Sequence, residues 1–229
     1  MFNVVLARTA AELRGEPCLA LGDAPVRRTL VKSRSFGEPT TDVVSVSQAV
    51  ATHAARAAEK LRREGLVAGH VSAFVTTKRF GPGPHRSCSA EEAFPEGTAC
   101  TTALVAAARR CLARAFVATD GAGRPYRYRK AGVVLSEIRP TGTEQRSLFA
   151  VHELATASDR ARSAALMAAL DAANQKYGGR SVGVASQGCP SALRRARDGS
   201  TGAPAWEMRR ERMSPRYTTR WSELASVRA

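Results

Sequence analysis

A chain of 229 residues with 44% hydrophobic residues is long enough for one or two folded domains with buried cores. Its 35 Lys and Arg against 20 Asp and Glu give a formal charge of +15, which indicates a polyanionic partner, either nucleic acid or an anionic membrane surface. No apolar run approaches the length of a membrane span, and the N-terminus lacks a basic segment followed by an apolar one, so the sequence favours nucleic acid and predicts a cytoplasmic protein without a membrane partner.

The cysteines and histidines give no sign of a metal site or a disulfide framework. The cysteines stand at Cys18, Cys88, Cys100, Cys111 and Cys189, and the histidines at His53, His70, His85 and His152. The cysteine count is odd and no two form a C-x-x-C pair. We therefore expect free buried thiols in a reducing cytosol, and neither a bound metal nor a cofactor.

In chain order, the first predicted element is a short amphipathic helix over residues 4–14, followed by a turn-rich linker at 22–28. Strand-like and helix-like patterns then alternate as strand 29–36, helix 45–64, strand 71–80, a weaker strand 85–94, helix 101–116 and strand 126–138. The order β-α-β-β-α-β predicts an α+β fold of the ferredoxin-like, split β-α-β type. Both helices then cover one face of the sheet and leave the other open for a partner.

The remainder of the chain is predicted to form a small C-terminal α/β unit. A polar linker at 140–155 precedes a helix at 158–177, which Ser158 caps and a Gly-Gly pair ends. A short strand, Ser181 to Ala185, and an Arg-rich loop at 191–205 follow. The tail carries Trp206, Met208, Met213 and Trp221, which is typical of a packed unit. The predicted divisions are 1–28, 29–139, 140–155 and 156–229.

Basic side chains recur on the predicted strands. Alternate residues of a strand share a face, so Lys32 and Arg34 of the first strand point the same way. Lys78 and Arg79 end the second strand, and the last strand carries Arg127 and Arg129 on one face and Lys130 on the other. An open sheet with basic residues on several strands predicts binding along a DNA backbone by charge and shape. Ordinary solvated strand positions fit these residues equally well.

Signatures of catalysis are missing from the sequence. The segment Gly183 to Gly188 (GVASQG) is not G-x-S-x-G, and the Gly-rich stretches have the spacing of neither a Walker loop nor a dinucleotide fingerprint. Glu91 and Glu92 are adjacent on a predicted strand and point to opposite faces. Nucleotidyl transfer requires two metal ions held by convergent carboxylates, so the sequence predicts no catalytic residues.

Five segments, in this order and spacing, resemble the C-terminal half of the UmuC-like translesion DNA polymerases of the Y-family. They are ELRGEPC (12–18), SRSFGEP (33–39), AARAAEKLR (54–62), RKAGVVL (129–135) and SPRYTTRWSEL (214–224). The second and last segments are specific to the family. The resemblance covers the whole chain, from the end of the thumb through the little-finger domain to the C-terminal domain.

The resemblance implies that residues 29–139 are a little-finger domain that lies along DNA through backbone contacts. Arg129 and Lys130 match the basic pair before the glycine of the last strand, and Ser33 to Phe36 match the strand beside the template. The DNA-binding residues are then expected to be Lys32, Ser33, Arg34, Ser35, Lys78, Arg79, Arg127, Arg129 and Lys130.

Family members carry palm and fingers domains, with the metal-binding carboxylates, before the part that this chain matches. The resemblance therefore places the start of the chain inside the last thumb helix and implies a non-catalytic piece of a polymerase. A truncated gene, a fragment and a missed start codon all fit this expectation. The implied setting is DNA repair and the SOS response, with UmuD-like and RecA-like proteins as partners that the resemblance suggests.

A short segment of the linker is similar to the sliding-clamp-binding motif of bacterial polymerases, Gln-Leu-Ser/Asp-Leu-Phe. It runs from Gln145 to Phe149, with Leu148 before the Phe and Arg146 in place of the usual Leu. An extended linker of this kind presents an apolar pair to an apolar pocket. The resemblance thus predicts Gln145, Leu148 and Phe149 as clamp-binding residues.

Two other classes of protein share the predicted element order. An RRM-type RNA-binding module needs aromatic residues in a specific pattern on a central strand, and residues 85–94 (HRSCSAEEAF) lack it. A small enzyme on a ferredoxin-like scaffold would need a convergent catalytic set, which the sequence does not show. DNA binding is therefore the leading hypothesis.

Overall fold

The computed structural model describes residues 3–18, 28–80, 83–143, 157–179 and 181–188, together with Trp206, Glu207, Ser214, Arg220, Ser222 and Leu224. Its elements are α1 (Val4–Leu13), β1 (Thr29–Thr40), α2 (Val43–Arg63), β2 (Leu66–Thr77), β3 (Ser87–Thr98), α3 (Thr101–Ala115), β4 (Tyr128–Pro140) and α4 (Ala157–Tyr177), with a 3₁₀ turn at Ala185–Gln187.

The four strands form one antiparallel sheet in the order β1-β4-β2-β3. Both β-α-β units are split, because β4 lies between β1 and β2, and β2 lies between β3 and β4. The predicted α+β fold and its element order are confirmed. The order places β4 and β2 in the centre, whereas a ferredoxin sheet has its first and third strands there.

The core lies between one face of the sheet and the helices α2 and α3. Along β2 and β4 the buried residues alternate with half-exposed ones, as expected for strands covered on one side. Fully buried side chains include Val71, Val75, Val133 and Leu135 from the strands and Val46, Val50 and Leu104 from the helices. The predicted placement of both helices on one face is therefore confirmed.

Local signals fix the two ends of α2. The carboxylate of Asp42 accepts hydrogen bonds from the backbone N–H groups of Val44 (3.0 Å) and Ser45 (2.9 Å). The hydroxyl of Ser45 also donates to this carboxylate, and these bonds lower the pKa of Asp42. At the other end Gly65 adopts φ +65°, which turns the chain directly into β2.

Most strand boundaries differ from the predictions, and β3 and β4 run Ser87–Thr98 and Tyr128–Pro140 instead of 85–94 and 126–138. β2 begins at Leu66 because Gly65 alone makes the turn, and Gly69 lies inside the strand, where an added Cβ would meet the side chain of Glu137. β2 ends at Thr77, whose N–H donates to the carbonyl of Arg86 (2.9 Å) and closes the hairpin before Lys78. β1 continues to Thr40, with a register shift after Ser35.

The helix α4 docks against the ends of α2 and α3. Arg62 of α2 forms a two-bond ion pair with Asp171 of α4, with Nε–Oδ2 at 2.7 Å and Nη2–Oδ1 at 2.6 Å. Its remaining nitrogen, Nη1, donates to the carbonyl of Ala99 (2.7 Å) and to the hydroxyl of Thr101 (2.9 Å). Met167 of α4 is buried, and its sulfur accepts the N–H of Thr101 (3.2 Å).

The predicted strand over Ser181 to Ala185 is wrong. Residues 181–184 form bends and irregular structure, and the 3₁₀ turn follows. Asn174 of α4 pairs with both backbone groups of Val182, at 2.9 Å each, so the groups that a strand would pair are satisfied by a side chain. Trp206 is buried against the core of the sheet, and the other tail residues singled out from the sequence, Met208, Met213 and Trp221, lie outside the described residues.

The described cysteines are the free thiols Cys18, Cys88, Cys100 and Cys111. The predicted burial holds for Cys111 and is wrong for the other three, which are partly exposed. None of the helices that the structure describes has the length and apolar character needed to cross a membrane.

Candidate nucleic-acid interface

The face of the sheet opposite α2 and α3 is lined mainly by small polar residues. Paired residues of an antiparallel ladder share a face, so the register defines rows that run across all four strands. The rows are Ser35–Lys130–Thr76–Ser87, Ser33–Gly132–Phe74–Ser89, Val31–Val134–Ser72–Glu91 and Thr29–Ser136–His70–Ala93. We call this surface the open face.

Phe74 is the one Phe, Tyr or Trp residue in these rows, and sequence reasoning missed it. An added Cβ on Gly132 would lie 2.6 Å and 2.7 Å from ring carbons Cζ and Cε1 of Phe74, so the ring occupies the space that a side chain on β4 would fill. The ammonium of Lys130 is 5.9 Å from the ring centroid. The alternation of residues along β2 could have shown this. Phe74 lies on the same side of the strand as Ser72 and Thr76, whereas the apolar residues on the other side are Val71, Ala73 and Val75.

Lys32 and Arg34 do point the same way, but they do not lie on the open face. Lys32 pairs with Val133 and Arg34 with Ala131, which are buried beneath the helices. Both side chains therefore lie on the helix-bearing face, at the edge that β1 forms. The expectation that they extend the open face is wrong, whereas Ser33 and Ser35 do lie there.

The charges of Lys32 and Arg34 act on a buried histidine of α2. His53 is 4% exposed, and burial is the main reason why its pKa falls to about 4. The positive charges of Arg56, Arg34 and Lys32 lower this pKa in the same direction. His53 is thus a neutral core residue, in agreement with its place on the apolar side of α2.

One end of the sheet gathers basic residues from several strands. Thr77 at the end of β2 pairs with Tyr128 at the start of β4, and β3 starts opposite Thr76. The turns and strand starts at this end carry Lys78, Arg79, Arg86, Arg127, Arg129 and Lys130, which we call the basic end. No described carboxylate forms an ion pair with any of these side chains.

Some side chains of the basic end are held by contacts with neighbouring residues, and others are exposed. Arg129 stands at the register shift between β4 and β2, and its Nη1 donates to the carbonyl of Gly37 on β1 (3.3 Å). The guanidinium of Arg86 lies 5.5 Å from the ring centroid of Tyr126. Lys78, Arg79, Arg127 and Lys130 are exposed. The arrangement is a set of cations at the edge of a hydroxyl-lined surface, with the exposed Glu38 of β1 as the nearby acidic residue on that strand.

The opposite end of the sheet carries charges of both signs. Glu137 adopts φ +51°, and its carboxylate lies 3.5 Å from Nε2 of His70. Glu96 lies 3.5 Å from the guanidinium of Arg160 on α4, and Arg139 is also at this end. The described residues at this end therefore carry a mixture of charges, whereas most charged residues described at the basic end are positive.

The acidic pair Glu91 and Glu92 points to opposite faces, as predicted. Glu91 is exposed in a row of the open face, whereas Glu92 pairs with Arg110 and Arg114 of α3, which lowers the pKa of Glu92. In the part of the chain that the structure describes, no group of three or more His, Cys, Asp or Glu residues is placed to hold a metal ion. The clamp-binding residues predicted from the sequence, Gln145, Leu148 and Phe149, lie outside the described residues.

Two family models match this chain. The impB/mucB/samB family C-terminal domain matches residues 27–148, and a domain of unknown function, DUF4113, matches residues 164–227. The first match spans the whole sheet with α2 and α3, and the second spans most of α4 and the tail.

Curated relatives extend the similarity over nearly the whole chain. Protein SamB of Salmonella typhimurium is 40% identical over 229 residues, 99% of this chain and 48% of SamB. Protein UmuC of Salmonella typhimurium strain LT2 is 41% identical over 229 residues, 99% of this chain and 49% of UmuC. Protein MucB of Escherichia coli is 34% identical over 226 residues, 97% of this chain and 47% of MucB. The chain therefore spans about half the length of the curated relatives that it matches.

Solved structures show weaker likeness. A Y-family DNA polymerase chimera, Dbh-Dpo4(243-245)-Dbh, has a TM-score of 0.35 and 13% identity, over 60% of this chain and 36% of the chimera. An insertion ternary complex of Dbh DNA polymerase has a TM-score of 0.31 and 14% identity, over 51% of this chain and 31% of that one. Scores this low add nothing to the family models. The impB/mucB/samB model matches residues 27–148, more than half of this chain. This chain therefore belongs to the impB/mucB/samB family, the UmuC-like family whose motifs its sequence carries.

Proposed function

We propose that this chain is the DNA-backbone-binding region of a UmuC-like translesion DNA polymerase, which acts in DNA repair and the SOS response in the cytoplasm. The observation that carries the proposal is the basic end, where β2, β3 and β4 bring Lys78, Arg79, Arg127, Arg129 and Lys130 together without a described carboxylate partner. Family membership supports the same reading. Residues 29–139 would form the DNA-binding domain. Residues 1–28 would be the end of a thumb domain, residues 140–155 would be a linker, and residues 156–229 would form a C-terminal domain.

The geometry suits a contact with the sugar-phosphate backbone. Arg and Lys neutralise phosphates, and small hydroxyl side chains such as Ser33 and Ser35 donate single hydrogen bonds to phosphate oxygens. A sheet face with few long side chains lets the backbone approach closely. Binding of this kind depends on the charge and shape of the DNA and does not depend on its base sequence.

Lys32 and Arg34 are still proposed to contribute to DNA binding, although they lie on the helix-bearing face. They lie on the edge strand β1 and are half-exposed, so they flank the open face and add positive charge at its border. Their contribution to binding is expected to be smaller than that of Arg129 and Lys130, since their side chains are directed away from the open face.

A pair of double variants tests the DNA contact. Arg129→Ala with Lys130→Ala should weaken binding to all duplex sequences alike and make the slope of log affinity against log salt shallower by about two, on the order of one for each phosphate that is no longer neutralised. The matched control is Lys60→Ala with Arg63→Ala, which removes the same charge from α2, where these residues pair with Glu64 and Glu59. The control slope should stay within about 0.5 of the unmodified chain.

Fluorescence anisotropy with a labelled duplex, measured over a range of salt concentrations, gives both slopes. Melting curves check that removing the Arg129 bond to Gly37 leaves the fold intact. Equal slopes for the two double variants would show that net charge, and not the basic end, drives binding. A weakening confined to some sequences would show base readout and contradict the backbone assignment.

We further propose that the chain has no DNA polymerase activity alone. Primer extension with the purified chain, Mg²⁺ and four nucleotides should give no product above a mock purification. The reason is that phosphoryl transfer needs convergent metal-binding carboxylates, which the family resemblance assigns to a palm domain outside the matched half. Extension that follows this chain through successive purification steps would refute the proposal.

The linker segment Gln145 to Phe149 is proposed to bind the bacterial sliding clamp through Gln145, Leu148 and Phe149. UmuD-like and RecA-like proteins are proposed as further partners, on the family resemblance alone. Neither a metal, a cofactor nor a membrane enters the proposal.

A further inference from the structure

We propose that Phe74 forms a stacking site for an unpaired base of single-stranded DNA in the middle of the open face. The inference rests on the proposed DNA-binding function and adds a specific ligand, an exposed nucleobase, at a named residue. It concerns the one Phe, Tyr or Trp side chain in the rows of the open face, where Ser, Thr and Gly residues lie beside it.

The position of Phe74 is not explained by packing in the core. The hydrophobic core lies on the other face of the sheet, and Phe74 is not part of it, although its strand neighbours Ala73 and Val75 are fully buried there. The ring instead fills the space over Gly132, with the small side chains of Ser33 and Ser89 at the two ends of its row. A half-exposed aromatic ring bordered by small residues leaves room for a planar ligand.

The charges around Phe74 favour a nucleic acid strand in one orientation. Rows on one face of a sheet are about 7 Å apart, because side chains alternate and each residue rises roughly 3.4 Å. The next row toward the basic end holds Lys130, and the next row the other way holds Glu91. A phosphate is therefore attracted to the Lys130 side of the ring, while the base attached to it reaches the ring itself. The ammonium of Lys130 is 5.9 Å from the ring centroid, and it can leave this long contact to bind the phosphate.

The ligand must be an unpaired base and not a duplex. Bases within a duplex are stacked on one another and do not present a face to a protein, whereas every base of a single strand does. Stacking on an aromatic ring is insensitive to sequence because every base has a π face. The site would thus hold a single-stranded segment beside the duplex that the basic end binds.

The experiment compares Phe74→Leu with Tyr177→Leu in the full 229-residue chain. Leu keeps an apolar side chain and removes the ring, and Tyr177 is an aromatic residue of α4, 68% exposed, outside the rows of the open face. Phe74→Leu should weaken binding of a single-stranded oligonucleotide by about tenfold, on the scale of one base stack, and change duplex binding less than about twofold. Tyr177→Leu should change neither by more than about twofold.

A direct readout of stacking uses an oligonucleotide that contains 2-aminopurine, whose fluorescence falls when it stacks. The unmodified chain and Phe74→Trp should both quench this fluorescence, measured away from tryptophan excitation, and Phe74→Leu should not. Melting curves confirm that each variant folds.

The outcomes separate this inference from the proposed function. Unchanged single-strand affinity and quenching in Phe74→Leu, with duplex binding intact, would overturn the stacking site alone. An equal weakening for single strands and duplex would also overturn it, because the ring would then contact a feature that both share. Absence of duplex binding by the unmodified chain would refute the proposed function itself.

Discussion

Arg62→Ala is expected to lower the free energy of unfolding by about 2–4 kcal/mol, somewhat less than for a fully buried pair because Asp171 keeps part of its solvent contact. The side chain of Arg62 is 15% exposed and that of Asp171 is 33% exposed. Removing the guanidinium leaves the Asp171 carboxylate, the Ala99 carbonyl and the Thr101 hydroxyl without this donor. Urea denaturation followed by circular dichroism measures the change.

The neighbouring residue provides the matched control for this prediction. The side chain of Arg63 is 71% exposed, and its ion pair among the described residues is with Glu59, one turn earlier on the same helix. Arg63→Ala should therefore cost about 0.5 kcal/mol or less, the usual value for an exposed pair four residues apart. Arg62→Lys should recover only part of the stability, because an ammonium cannot form the two parallel bonds that the guanidinium makes.

These variants also test whether α4 is fixed to the sheet domain. The ion pair joins α2, within the first family match, to α4, within the second. If Arg62→Ala and Arg63→Ala destabilised the chain equally, the contact between α4 and α2 would be too weak to hold the two regions together. If Arg62→Ala had the expected effect, the single variant Asp171→Ala and the double variant would complete the cycle that gives the coupling energy between the two side chains.

Over residues 29–140 the sequence was sufficient for the order of helices and strands, because local signals agree with one another there, but it was not sufficient for the order of strands in the sheet. The apolar spacing of α2, its Asp42 cap and the Gly65 turn each give the same boundaries to within a few residues. The predicted strand at 181–185 failed for the opposite reason. A short Val-Gly-Val segment has strand-like residues, but the side chain of Asn174, eight residues before Val182 in the chain, pairs with the backbone of Val182 instead.

The candidate interface was less predictable, because a face cannot be assigned from alternation alone. The spacing showed that Lys32 and Arg34 share a face but not which face it is. Leu30 and Phe36 lie on the same side of β1 as Lys32 and Arg34, and both are buried. These two apolar residues were the signal that this side faces the helices. The register shift at Arg129 and the hairpin bond at Thr77 depend on pairing between distant strands, so no local pattern reports them.

Leu148→Ala with Phe149→Ala is expected to abolish detectable binding to a bacterial sliding clamp. A buried aromatic anchor with its apolar neighbour supplies most of the energy in contacts of this type, and truncating both side chains costs at least about 4 kcal/mol, roughly a thousandfold in affinity. The matched control is Leu13→Ala with Phe80→Ala, which removes the same two residue types from exposed positions, 84% and 77% exposed. A pull-down with purified clamp, supported by calorimetry, measures the difference.

The same double variant distinguishes a clamp ligand from a pair that packs in a core. A Leu-Phe pair presented to a partner leaves thermal stability almost unchanged, within about 0.5 kcal/mol per residue. A pair that packs against a neighbouring domain would instead cost about 2–5 kcal/mol for each large-to-small change. Abolished clamp binding with an unchanged melting curve therefore supports the proposal, and a large drop in stability contradicts it. Arg146→Leu is the converse variant, since it restores the usual second residue of the motif and should tighten clamp binding. An affinity equal to that of the unmodified chain would mean that the clamp does not read this position.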